Sequence, residues 1–327
     1  MTNFPRIGCV GAGSIGSSWA LLFALRGHNV TLCDVSDQIL ERSLENIGLM
    51  LSTLCEMKAV EPRFKDDILR RITVTTELSE LGSVGYVQES VIERQEAKVG
   101  IFEKLEDFVA EDALLASSTS GFSMSEIQRN LKHPERAIVA HPFNPPHLLP
   151  LVELVRGDKT SDETFLAVRE FMLNLGKVPV LVRKEVVGFA ANRIQVAMLR
   201  EILSLLDAGV VSMEDIEKIF YAGIGLRYAV MGPFAIETVN GGPGGLEQDF
   251  KHFKPAIEQW LKSMATWNTI PASAEHAALS QVNQLSYLKT KSHEERVKWR
   301  DEELIKLLRV RGYIESREVP SATSIAK

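Results

Sequence analysis

The chain is poor in cysteine, short of positive charge and without any long apolar run. Its three cysteines, Cys9, Cys33 and Cys55, are odd in number and show no C-x-x-C spacing. That excludes a disulfide framework and a zinc knuckle, and leaves no metal site to assign. Cys9 and Cys33 fall in stretches expected to be buried strands, so all three read as reduced, small core residues of a cytosolic protein. No stretch approaches the roughly 18 apolar residues of a membrane-spanning helix. The chain enters its first strand almost at once, which leaves no room for a signal peptide, and the expected location is cytoplasmic. Lys and Arg number 37 against 43 Asp and Glu, a net charge of −6; that balance argues against nucleic acid and anionic membranes as partners. Internal repeats and low-complexity segments are missing as well.

What is present is a soluble globular composition, 45% hydrophobic and 24% charged over 327 residues, long enough for two domains. The stretch from Arg6 to Asp34 organises the rest. A short apolar run with β-branched residues at its ends, Ile7 to Val10, meets Gly11, Gly13 and Gly16 in a G-x-G-x-x-G pattern. Gly11 permits a sharp turn, Gly13 lets a pyrophosphate approach the backbone, and Gly16 lets the following helix pack on the strand. The helix offers free N–H groups and a positive dipole end to phosphates. A second strand, Val30 to Cys33, ends in Asp34, close to the spacing of about 20 residues expected for the acid that binds the adenosine ribose. A carboxylate there repels a 2′-phosphate, and no Arg follows before Arg42, so NAD is expected rather than NADP.

Further along, strands are expected at 72–74, 84–88, 114–116, 137–140, 151–155 and 178–182, with helices at 36–57, 93–109, 123–131 and 161–175. Residues 58–67 read as a polar connection. This alternation predicts a doubly wound (Rossmann) α/β domain with a mostly parallel sheet over 1–186. The proline-rich turn through Pro142, Pro145, Pro146 and Pro150 is too short for a parallel crossover, so the strands around it should be antiparallel. From 187 to 327 the pattern is all helical. The run 188–209 is apolar on more than one side and is expected to be largely buried. Its apolar surface exceeds what one small domain covers, which predicts a homodimer through the helical domain. Residues beyond Arg317 read as a frayed tail.

Several residues could carry chemistry. His141 ends a strand and Glu153 lies in the next, so their side chains can meet across the hairpin. A carboxylate on one ring nitrogen would leave the other free as a base, as alcohol oxidation requires; a His satisfied by backbone beside a solvated Glu fits the spacing too. Ser117 to Ser120 follow a strand end, where ligands of parallel sheets bind, although such a loop also caps helices. Asn192, early in the long helix, suits an active-site amide or a packing contact at a domain junction.

In order, Gly-Ala-Gly-Ser-Ile-Gly (11–16), Ser-Ser-Thr-Ser (117–120), His-Pro-Phe-Asn-Pro (141–145), Leu-Val-Glu-Leu-Val (151–155) and Gly-Phe-Ala-Ala-Asn-Arg (188–193) resemble the motifs of the L-3-hydroxyacyl-CoA dehydrogenase family, over nearly the whole chain. The resemblance implies that His141 is the base, Glu153 its partner, Ser120 a contact to the substrate oxygen and Asn192 a further polar contact. It places NAD on Gly11, Gly13, Ser14, Ile15, Gly16, Asp34, Glu93, Lys98 and Ser118, and adds Asn144 to the substrate contacts. Gly16-Ser-Ser-Trp-Ala20, His-Pro-Phe-Asn-Pro-Pro, Gly225 to Pro233 and Trp299-Arg-Asp-Glu302 look most like the L-gulonate 3-dehydrogenase and lambda-crystallin branch. Carnitine dehydrogenases share some of these features. A non-catalytic, crystallin-like protein is the competing class, and the retained His141, Glu153, Ser120 and Asn192 speak against it.

Arg227 occupies a stretch that is uncharged in the acyl-CoA branch. Its fork fits the carboxylate of a free hydroxy acid, which a CoA thioester lacks; a salt bridge to Asp215 or Glu217 is the plain alternative. Asn240 to Gly245 is richer in glycine than the family pattern, either as a substrate-facing loop or as a helix-breaking turn. The expected substrate is a small L-3-hydroxy acid resembling L-gulonate.

Overall fold

The computed structural model describes residues 4–314; the expected frayed tail beyond Arg317 lies outside them. The chain forms two compact units, one running to Asn192 and resumed at Val297, the other spanning Arg193–Arg296.

The first unit holds one eight-stranded sheet: β1 (Arg6–Val10), β2 (Asn29–Cys33), β3 (Ile72–Thr75), β4 (Tyr86–Glu89), β5 (Leu114–Ser117), β6 (Ala137–Pro142), β7 (Leu151–Val155) and β8 (Val178–Val182). The order is β3-β2-β1-β4-β5-β6-β7-β8. The first six strands are parallel, β7 is antiparallel to β6, and β8 is parallel to β7. The helices of this unit are α1 (Ser14–Leu25), α2 (Asp37–Glu56), α3 (Lys65–Arg70), α4 (Gln95–Glu106), α5 (Met124–Ile127) and α6 (Asp162–Asn174). Trp19 and Phe23 on α1 stack at 5.3 Å, and Phe23 stacks in turn on Phe171 of α6 at 5.9 Å. Ser123 and Ser161 cap α5 and α6 by accepting from the backbone N–H three residues on, which satisfies one of the donors left free in a helix's first turn. The polar connection expected at 58–67 is partly helical: Pro62 opens a short turn that leads into α3. The α5 helix stops at Ile127, earlier than the expected residue 131.

The remaining helices are α7 (Ala191–Asp207), α8 (Met213–Ile219), α9 (Gly225–Val230), α10 (Pro233–Asn240), α11 (Gly245–Ser263), α12 (Ala272–Val282) and α13 (His293–Val310). The expectation that the 188–209 run would be largely buried does not hold within one chain. Ile194, Val196 and Leu199 of α7 are 62%, 61% and 46% exposed, while Leu203 and Leu206 are buried. The apolar stripe is wider than its own unit covers. The division expected at 187–327 also differs from the compact units. Ile305 and Leu308 of α13 are buried in the same core as Ile47 and Leu51 of α2, and Lys298 pairs with Glu56 at 2.6 Å. Periodicity finds such a stripe but cannot say which core receives it. Between α10 and α11, Gly242 and Gly245 take φ of +58° and +59°, and a Cβ on Gly241 would lie 1.8 Å from the Gly245 carbonyl oxygen. Asn240–Gly245 is therefore a tight helix-breaking turn. Among the described residues no single helix is long and apolar enough to cross a membrane.

Candidate active site

The strand order reverses between β1 and β4, and the crevice at such a switch point is where open parallel sheets hold ligands. Gly11 turns there with φ +94°, and a Cβ on it would lie 2.5 Å from the Ser90 carbonyl oxygen. A Cβ on Gly16 would lie 1.8 Å from the carbonyl oxygen of Gly11. Gly13 differs: a Cβ there would meet nothing within 4 Å. No packing inside the protein requires Gly13 to be glycine, and its open face is what a close-lying ligand needs. No side chain caps α1 at its N terminus, which starts at Ser14 and Ile15. Asp34 lies half-buried at the end of β2; its two carboxylate oxygens accept from the N–H of Ala12 at 2.6 Å and of Val35 at 2.7 Å. The acid is thus tied to the glycine loop it flanks.

His141 and Glu153 are register partners across the β6–β7 hairpin. Nδ1 of His141 lies 2.9 Å from one carboxylate oxygen of Glu153. The other oxygen accepts from the N–H groups of Ala190 and Ala191, each at 3.0 Å. Burial alone would raise the Glu153 carboxyl, but the hydrogen bonds from His141 and from Ala191 and Ala190 outweigh it and hold the group below the usual carboxylate range. An ionised Glu153 accepts the proton of Nδ1 and leaves Nε2 with a free lone pair. Phe143 and Phe189 flank the imidazole at 6.0 and 5.6 Å between centroids. Gly188 and Phe189 both have positive φ, +76° and +49°; this sharp turn delivers the two N–H groups to Glu153. A left-handed Phe is uncommon and costly, and nothing in its residue type announces it.

The hydroxyl loop after β5 joins the same network. Asn192 donates through Nδ2 to the Ser120 carbonyl at 2.8 Å. Glu93 accepts from the Ser120 N–H and the Thr119 hydroxyl, both at 2.7 Å, and pairs with Lys98 at 3.1 Å. Lys98 is buried and also bonds Glu89 at 2.9 Å. Ser118 accepts from Gln88 Nε2 at 2.8 Å and shares a hydrogen bond with Ser90 at 2.9 Å. Ser120 is exposed, and its own hydroxyl has no partner among the described residues. Gln88 and Glu89 carry this layer and were not singled out from sequence, although their place at a strand end was the available signal.

The profile described as 3-hydroxyacyl-CoA dehydrogenase, NAD binding domain matches residues 6–186, and that of the 3-hydroxyacyl-CoA dehydrogenase C-terminal domain matches residues 188–281. The chain belongs to the 3-hydroxyacyl-CoA dehydrogenase family. It is similar to L-carnitine dehydrogenase of Staphylococcus epidermidis, 36% identical over 80% of this chain and 80% of the relative. It is also similar to the human lambda-crystallin homolog, 33% identical over 94% of this chain and 98% of the relative. Among solved structures, (S)-3-hydroxybutyryl-CoA dehydrogenase from Ralstonia eutropha superposes with a TM-score of 0.63 at 30% identity, covering 79% of this chain and 89% of that one.

As a member of this family the protein is an NAD-dependent dehydrogenase. The residues present fit NAD: an uncapped helix N terminus, an open Gly13 and a carboxylate at the end of β2. Two expected substrate residues remain, Asn144 and Arg227. Asn144 is exposed in the loop between β6 and β7. Arg227 belongs to the helical unit, on α9, where it lines an open groove of about 580 Å³ with Lys218, Gly223 and Tyr228. The salt bridge considered for Arg227 is not made: Asp215 pairs with Lys218 at 2.9 Å, and Glu217 accepts from the Tyr287 hydroxyl.

Proposed function

We propose that the protein oxidises the 3-hydroxyl of a free L-3-hydroxy acid, with L-gulonate the first candidate and L-carnitine the second. Bound NAD would supply the hydride acceptor. His141 takes the hydroxyl proton on Nε2, and Glu153 stabilises the imidazolium that results. The Ser120 hydroxyl and the Asn192 amide hold the substrate oxygen, with Asn144 as a further contact. Asp34 binds the adenosine ribose, while Gly11, Gly13, Ser14, Ile15 and Gly16 receive the pyrophosphate. Ser118, Glu93 and Lys98 complete the cofactor side, the last two by fixing the hydroxyl loop.

The observation that carries the choice of a free acid is Arg227, a guanidinium exposed and unpaired among the described residues. Its fork matches a carboxylate two carbons from the reacting hydroxyl. The named relatives lend support, since L-carnitine is itself a free 3-hydroxy acid. A cytosolic setting suits the three free thiols. The apolar residues exposed on α7 support a homodimer formed through the helical unit. Turnover of L-gulonate, L-3-hydroxybutyrate, L-carnitine and 3-hydroxybutyryl-CoA, read as NADH absorbance, tests the substrate assignment. A free acid is expected to give the highest kcat/KM; a clear preference for the thioester would overturn it.

A further inference from the structure

A second buried polar cluster lies on the loop that joins β6 to β7, with no hydrogen bond to His141 or Glu153 among the described residues. Ser18, on α1, accepts from the backbone N–H of His147 at 2.8 Å, and its hydroxyl lies 2.8 Å from Nδ1 of the same residue. With the hydroxyl donating to Nδ1, the ring proton sits on Nε2, which faces Asp301 of α13 at 3.9 Å. Asp301 is buried and held by Arg300 at 2.7 Å. From the other side Lys177, buried before β8, donates to the carbonyls of Pro146 and Leu149. Its ammonium also lies 5.1 Å from the centre of the Trp19 ring. Burial, then the charge of Arg26, brings this lysine down to about 7.

Buried groups of this kind are costly unless they are hydrogen-bonded, and a satisfied buried network rigidifies the segments it joins. Here one short loop, between the strands that carry His141 and Glu153, receives them from three places: the helix that opens on the glycine loop, the segment before β8, and the C-terminal helix. We propose that Ser18, His147 and Asp301, together with Lys177, are positioning residues that set the β6–β7 loop, and with it the His141–Glu153 pair, against the cofactor helix. The Trp299–Glu302 stretch thereby gains a role: α13 supplies the last member of the chain. The proposal rests on the assignment of His141 as the base.

The test uses Asp301→Asn and Ser18→Ala, with His141→Asn as control, each assayed with the best substrate of the four-compound panel. A displacement of the pair by a fraction of an ångström is expected to lower kcat about tenfold or more, while KM for NAD changes less than about twofold, because a misplaced base weakens the transition state and not uniform binding. The acid limb of the kcat/KM profile should move in both variants, because it reports the free enzyme's base. A contact that merely held the fold would lower the melting temperature and leave that limb in place. Asp301→Asn keeps the shape of the wild-type side chain, so it reads out even if Ser18→Ala folds poorly. Wild-type kcat and an unmoved limb in folded Asp301→Asn would overturn the positioning role alone. Full turnover by His141→Asn would instead remove the base assignment, and the proposal with it.

Discussion

At the scale of single residues, partners decide what each group can do. Glu153 stays ionised because three N–H groups point at it, and an ionised Glu153 is what the proposed base role of His141 requires. His147 is the contrasting case. Burial, then the charges of Lys177 and Arg300, push it down to about 3, so it remains neutral where an unfolded histidine, at about 6.5, is already charging. Between those values the unfolded chain binds a proton that the folded chain refuses. Stability from this group is therefore complete above pH about 6.5 and is lost as pH falls, by up to about 1.4 kcal/mol per pH unit. Urea unfolding at pH 7 and pH 5 should show His147→Asn losing less stability than wild type over that interval; equal losses would mean that His147 is free to protonate in the folded protein. Only part of this was readable in the sequence. Facing strands suggested that His141 and Glu153 could meet, but Ser18 and Asp301 reach His147 from distant segments, and no local pattern encodes that.

At the scale of elements, the glycine loop separates two uses of one residue type. Gly16 is demanded by packing on Gly11, whereas Gly13 faces open space. Gly13→Ala is expected to fold with the melting temperature of wild type and to raise the Kd for NADH at least about tenfold, roughly 1.4 kcal/mol. Gly16→Ala should lose both stability and NADH binding, since a Cβ there collides with backbone. Fluorescence titration beside a thermal melt separates the two; unchanged NADH affinity in Gly13→Ala would mean that the ligand does not pass there. Strand, glycine turn, helix and acid were legible because each follows from local sequence, and the short proline-rich turn gave the antiparallel β6–β7 pair. The left-handed Phe189 turn and the buried Glu89–Lys98 pair depend on tertiary packing, which overrides local preference. The exposed stripe of α7 was legible as apolar, but what covers it was not.

At the scale of the whole molecule, that stripe is the most informative surface. Phe234, Trp260 and Leu261 on the later helices are exposed as well, and exposed apolar residues of this kind are what the proposed subunit pairing would cover. Sedimentation at micromolar concentration should give a dimer, and a monomer would contradict the proposed pairing. The identity of the substrate is the central claim, and it turns on one guanidinium in the helical unit. Arg227→Met in the full-length protein tests it most directly, with steady-state kinetics on the preferred free acid and NADH titration in parallel. Loss of a charge-assisted carboxylate contact is expected to raise KM for the acid at least about tenfold while leaving the Kd for NADH unchanged. A variant that turns over the free acid as well as wild type, in a protein whose wild type prefers 3-hydroxybutyryl-CoA, would contradict the account.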